Sequence, residues 1–204
     1  MCGALFHKTE IYESYFFQSL IGLLCFNNYL LLYHQDMKAA NILYKKVNEN
    51  VIFHYRINDT DYYLPTQGYL FMIADFGNAT FSLSGGFSDL TYFKFKIIKI
   101  LMRLFLETNP KMTGKYQQLF DNFEKQTIYL RYTKINDTVL NIINEFIKDF
   151  ENSQNKLNKY VLQIINYLNS TDDIMTVISH FFNKYQKNTY GDKNIVDFYI
   201  NLQP

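Results

Sequence analysis

From about Glu10 to Leu32 the chain runs without a proline, and Ile11, Tyr15, Phe16, Leu20, Leu23, Leu24, Tyr29 and Leu30 fall mainly at three- and four-residue steps. That period predicts a long, largely buried helix that delivers His34 at its C-terminal end. The aromatic stripe along it reads as core packing. The pattern then changes. Ile42-Leu43-Tyr44 is a short apolar run, and Val51 to Ile57 is rich in β-branched and aromatic residues, a strand signal. Asn58-Asp59-Thr60-Asp61 predicts a turn, Tyr62-Tyr63-Leu64 a returning strand with Pro65 at its edge, and Gln67-Gly68 a second turn. Tyr69 to Ala74 is a third strand candidate that runs straight into Asp75.

Beyond Asp89 the pattern predicts helices. The first covers Phe93 to Phe105 and stops before Asn109-Pro110, because the residue before a proline is biased away from helical geometry. Others are expected around Tyr116 to Gln126, Thr138 to Asn152, Leu157 to Leu168, Asp172 to Tyr185 and Asn194 to Leu202. The expected fold class is therefore mainly α with a small β-hairpin region (α+β). No internal repeat and no Gly/Ser-rich linker divides the 204 residues, so residues 1–204 read as a single domain.

Composition narrows the function. With 48% hydrophobic and 19% charged residues the chain is of the globular, not the disordered, type. A formal net charge of +1 supplies no general field for nucleic acid or an acidic membrane. Lys94, Lys96, Lys99 and Arg103 scatter around their predicted helix and read as snorkelling side chains. The tyrosines at Tyr62-Tyr63 and from Tyr129 to Tyr132 could stack bases, but no basic groove accompanies them. Neither a nucleic-acid nor a membrane partner is expected. The apolar stretch from Leu20 to Leu32 is broken by Asn27 and Asn28 and is too short to span a bilayer, and the N-terminus lacks a signal-like segment. Cys2 and Cys25 lie away from any histidine or cysteine at metal-ligand spacing, which reads as free thiols in a reducing, intracellular setting. His7, His54 and His180 stand alone and read as surface or packing residues.

Two segments carry chemistry. His34-Gln35-Asp36-Met37-Lys38-Ala39-Ala40-Asn41 matches the catalytic-loop pattern of protein kinases, and Asp75-Phe76-Gly77 matches their metal-binding turn. In this order, after a helix and after a strand respectively, they make the chain resemble a protein kinase catalytic domain. The interval between Asp36 and Asp75 is wider than most protein kinases show, because the Val51 to Gly68 hairpin is inserted there. With Leu64-Pro65-Thr66-Gln67-Gly68 leading into Ile73-Ala74-Asp75-Phe76-Gly77, this region is similar to the kinase-like proteins of large cytoplasmic DNA viruses, the iridovirus and giant-virus type. The resemblance covers about Tyr12 to Phe105.

The resemblance implies roles. Asp36 would accept the proton of the incoming hydroxyl, and Lys38 would stabilise charge on the transferred group and contact the nucleotide. Asn41 and Asp75 would hold Mg²⁺ against the phosphates of ATP, with His34, Phe76, Gly77 and Asp89 as structural support. Gly77 is expected to permit the backbone turn after the strand. The implied activity is phosphoryl transfer from ATP to serine or threonine of an unidentified protein substrate, in a host cytoplasm or a virion. Lys38 and the intact Asp-Phe-Gly favour that branch over small-molecule kinases of the aminoglycoside or choline type.

Three departures accompany the resemblance. Gln35 stands where kinases activated by loop phosphorylation carry arginine. The segment from Gly77 to Asp89 is short and lacks an Ala-Pro-Glu ending, so phosphorylation of Thr80, Ser82, Ser84 or Ser88 is not the expected switch. No glycine-rich loop, strand lysine or helix glutamate precedes His34, and Gly3 and Lys8 do not replace them. The implied fold is then a kinase C-terminal lobe without its N-terminal lobe. Such a chain would be an enzyme inactive alone, a pseudokinase used as a binding module, or one half of a site completed by another chain.

Overall fold

The computed structural model describes residues 9–37, 39–81, 173–191 and 194–202, together with isolated helical positions between 114 and 167. The chain divides into two compact units, one formed by residues 1–34, 39–81 and 173–204, the other by residues 35–38 and 82–172. The first unit opens with α1 (Thr9–Leu30), the helix its periodicity predicts. From Tyr12 to Ile21 every residue of α1 is buried, so the helix is enclosed on all sides instead of presenting one apolar stripe.

After the 3₁₀ turn Ala39–Asn41 come β1 (Ile42–Lys46), β2 (Ile52–Ile57), β3 (Thr60–Pro65) and β4 (Tyr69–Ile73). β1 pairs antiparallel with β4, Ile42 opposite Ile73, and the β2–β3 hairpin is nested between them. Thr60 and Asp61, expected in the turn, belong to β3; the turn is Asn58-Asp59 alone. The chain enters β4 through Gln67 (φ 54) and Gly68 (φ 82), with the Tyr69 N–H donating to the Thr66 carbonyl at 3.0 Å. Two central residues at positive φ are what a type I′ turn requires.

One sheet edge is closed by a side chain. Phe71 of β4 donates its N–H to Gln18 Oε1 at 2.9 Å, while Gln18 Nε2 donates to the Tyr69 carbonyl at 3.2 Å and to Ser14 Oγ at 2.9 Å. The buried amide of α1 thus serves as a one-residue partner strand for β4. Close approach nearby is permitted by Gly22, where a Cβ would lie 2.8 Å from Ile73 Cδ1.

The predicted helix from Asn194 to Leu202 is instead β5 (Ile195–Ile200), which pairs parallel with β2, Ile52 beside Ile195 and Ile57 beside Ile200. Ile195, Val196, Phe198, Tyr199 and Ile200 are β-branched or aromatic, and an apolar run this short has no decisive period. The unpaired edge of β2 settles the choice, and Asn194 enters the strand left-handed at φ 60. The second sheet therefore runs β3-β2-β5. The expectation of a mainly α chain with one hairpin is corrected accordingly: the elements described over their full length are five strands in two sheets beside one long α-helix and one short one, an α+β arrangement that is not mainly α.

That short helix is α2 (Ile174–Phe181), within the predicted span from Asp172 to Tyr185. Asp173 caps it, its Oδ2 accepting from the Thr176 N–H at 2.7 Å, and a 3₁₀ turn at Asn183–Tyr185 follows. The core of the unit gathers around Phe17 of α1, whose ring meets Tyr55 (5.5 Å), Tyr62 (5.7 Å) and Phe182 (4.8 Å, edge-on). Glu13 is buried beside them, accepting from Lys184 Nζ at 2.7 and 2.8 Å and from the Tyr185 hydroxyl at 2.5 Å. A buried carboxylate needs such partners.

In the second unit the positions described inside the predicted helices 116–126, 138–152 and 157–168 are all helical. Gln117 bonds Asp121 at 2.8 Å, the spacing of neighbours one turn apart. The predicted helix from Phe93 to Phe105 with its basic residues, Tyr129 to Tyr132, Cys2 and His7 lie outside the described residues. Among the described residues no helix is long and apolar enough to cross a membrane.

Candidate functional site

The pairing of β1 with β4 governs where the motif residues stand. One step beyond Ile42 and Ile73, the Ala74 N–H donates to the Asn41 carbonyl at 2.8 Å. Asn41, the last residue of its 3₁₀ turn, and Asp75, two residues past β4, therefore leave the same end of the ribbon. Asn41 is buried and Asp75 exposed.

Asp75 adopts the left-handed region, φ 64 and ψ 66, and its side chain makes no capping bond to the 3₁₀ turn Phe76–Asn78. Aspartate is one of the few residues with a side chain that visits this region. The backbone freedom expected of Gly77 is thus exercised two positions earlier, at Asp75. Gly77 sits inside the 3₁₀ turn, and a Cβ there would meet Asp75 Oδ1 at 3.6 Å, an ordinary contact.

His34 is fully buried, with Nε2 3.0 Å from the Ala74 carbonyl. A carbonyl only accepts, so Nε2 carries the proton in this bond. The imidazole lies against Phe76 (5.4 Å between centroids) and Phe26 (5.9 Å), which stack on each other at 5.0 Å. Just before it, Tyr33 pairs with Thr80 through two backbone bonds of 2.8 and 3.0 Å. The approach to the first motif is therefore tied to the second motif at three points: a backbone bridge, a side-chain hydrogen bond and an aromatic stack.

Asp36 and Met37 are both buried, and Gln35 before them is left-handed at φ 59. These residues belong to the second unit. Lys38 and Asp89 lie outside the described residues.

Among the described residues no three histidine, cysteine, aspartate or glutamate side chains cluster as metal ligands. Magnesium does not require such a cage. It keeps several waters and is commonly held by one or two protein oxygens plus substrate phosphates. An aspartate carboxylate and an asparagine amide oxygen, the groups that Asp75 and Asn41 carry, are hard donors of that kind.

Two features escaped the sequence reading. Leu43 and Met72 face each other across the ribbon while 55% and 40% exposed, an apolar pair beside the oxygen donors. His54, read as isolated, is bonded to two carboxylates, Asp61 and Asp197. No local signal could reveal the second, since Asp197 is 143 residues away. Cys25 is a free, partly buried thiol whose burial pushes its pKa up, which disfavours the reactive thiolate. The chain matches no family model, no curated protein and no solved structure.

Proposed function

We propose that the chain carries the metal-holding and transfer side of an ATP- and Mg²⁺-dependent phosphoryl-transfer site acting on serine or threonine hydroxyls of a protein. The observation that carries this reading is the β1–β4 pairing, which brings Asn41 and Asp75 to one end of a two-stranded ribbon. In this reading Asn41 and Asp75 supply oxygen donors to Mg²⁺, which when bound neutralises charge on the phosphates. Asp36 orients the acceptor hydroxyl and takes its proton, and Lys38 faces the charge on the transferred group. Leu43 and Met72 offer an apolar ledge for a planar base. His34, through the Ala74 carbonyl and the Phe76 ring, ties the start of the first motif to the second.

A second reading, a binding module without transfer activity, is favoured by the exposure of Leu43, Tyr44 and Met72 on the ribbon. Its partner would be a chain that supplies the nucleotide-gripping half. The intracellular setting proposed with either reading agrees with the free thiol at Cys25.

The test is transfer of labelled γ-phosphate from ATP to a mixed protein acceptor, with and without Mg²⁺. Activity should fall by about 10²-fold or more in Asp36→Asn and in Asp75→Ala, the scale expected for removing a general base or metal ligand. Circular dichroism should stay unchanged in both. Absence of Mg²⁺-dependent ATP binding and transfer by the folded wild-type chain would move the assignment to the binding module.

A further inference from the structure

We propose that His54 is a proton-dependent latch that fastens β5 to the β2–β3 hairpin. His54 lies in the middle of β2, the central strand of its sheet. On one side Nδ1 is 2.7 Å from Asp197 Oδ1 of β5, and on the other Nε2 is 2.9 Å from Asp61 Oδ1 of β3. An ionised carboxylate only accepts, and a neutral imidazole has a single N–H. Both short contacts are hydrogen bonds together only when the ring is the imidazolium.

A second observation points the same way. The His54 ring lies flat on Tyr63 at 4.4 Å with 4° between planes, and Tyr199 stands edge-on at 6.4 Å. A phenol face under a planar cation is favourable. Among the described residues a further charged neighbour is Arg56, half-exposed, with Nε 3.8 Å from Asp61 Oδ1. Arg56 gives Asp61 a second cation. The side chain of His54 itself is only 12% exposed, while its partners Asp61 and Asp197 are 34% and 50% exposed.

Loss of the proton leaves one N–H for two carboxylates. Since only the imidazolium serves both carboxylates, the latch is closed on the acid side and opens as the ring gives up its proton. β5 keeps its backbone pairing, including Ile52 N–H to the Asn194 carbonyl (3.0 Å) and Asn58 N–H to the Ile200 carbonyl (2.8 Å). The latch therefore tunes local opening of β5, not the existence of the fold.

Hydrogen exchange of the β5 amides in the full chain, corrected for the intrinsic pH dependence of exchange, reads this directly. Between about pH 5.5 and 8.5 protection of β5 should fall about tenfold, the effect of one charge-assisted hydrogen bond. In His54→Phe, which keeps a ring over Tyr63, and in Asp197→Asn the fall should stay below about twofold. A flat wild-type profile, or an equal fall in the variants, overturns the latch. Should His54→Phe not fold, Asp197→Asn and the ring ¹⁵N shifts of wild-type His54 decide. Two protonated ring nitrogens at about pH 5.5 support the proposal, and a single-N–H tautomer there refutes it.

Discussion

Gln18 shows how much a single polar side chain can settle inside a core. Its amide satisfies the N–H of Phe71 and the carbonyl of Tyr69 on the edge of β4 that β1 does not cover. Gln18→Ala should cost about 2–3 kcal/mol, because it strands buried backbone groups as well as losing the bonds themselves. Urea unfolding checks this, and Gln18→Glu should not restore stability, since a carboxylate cannot donate to the Tyr69 carbonyl. At this scale the sequence was legible where a motif fixed identity and spacing together. His34 and Asn41 could be singled out because one contiguous segment, His34 to Asn41, carries their pattern, and Asp75 because the triplet Asp75-Phe76-Gly77 carries its own. Gln18 and His54 could not, since each acquires its role from residues that only the finished fold brings near.

Elements were legible in proportion to their length and locality. α1 repeats its period for six turns, and the β2–β3 hairpin is bounded by its own turn residues, so both could be read directly. β5 could not, because six residues carry little periodic information and their conformation is dictated by the open edge of β2. The contact between α1 and β4 offers a test of element packing. Alanine in place of a mid-helix glycine ordinarily stabilises by about 0.5–1 kcal/mol. At Gly22 a Cβ would instead stand 2.8 Å from Ile73 Cδ1 and 3.1 Å from Cγ1. Gly22→Ala should therefore destabilise by about 1 kcal/mol in the native background. In an Ile73→Val background, which lacks Cδ1, the same change should become neutral or stabilising. A double-mutant cycle by chemical denaturation measures the coupling.

For the whole molecule, buried phenols set the alkaline limit of stability. Burial pushes Tyr12, Tyr55 and Tyr185 above the usual phenol range, and the Glu13 carboxylate raises Tyr185 further. The folded chain thus binds these protons more tightly than the unfolded chain, whose phenols titrate near pH 10. Their contribution is complete below about pH 10 and is lost as pH rises beyond it. The urea midpoint should fall steeply there, with phenolate absorbance appearing together with unfolding, and Tyr185→Phe should make the fall shallower. The parallel pairing of β2 with β5 has a consequence on another axis, that of time. The partners His54 and Asp197 are separated by 143 residues. At about 5–20 residues per second, a ribosome needs on the order of ten seconds to make that intervening stretch. Throughout that interval the edge of β2 that β5 will cover is a row of unpaired N–H and C=O groups, and the β5 of another copy carries the same complement as its own.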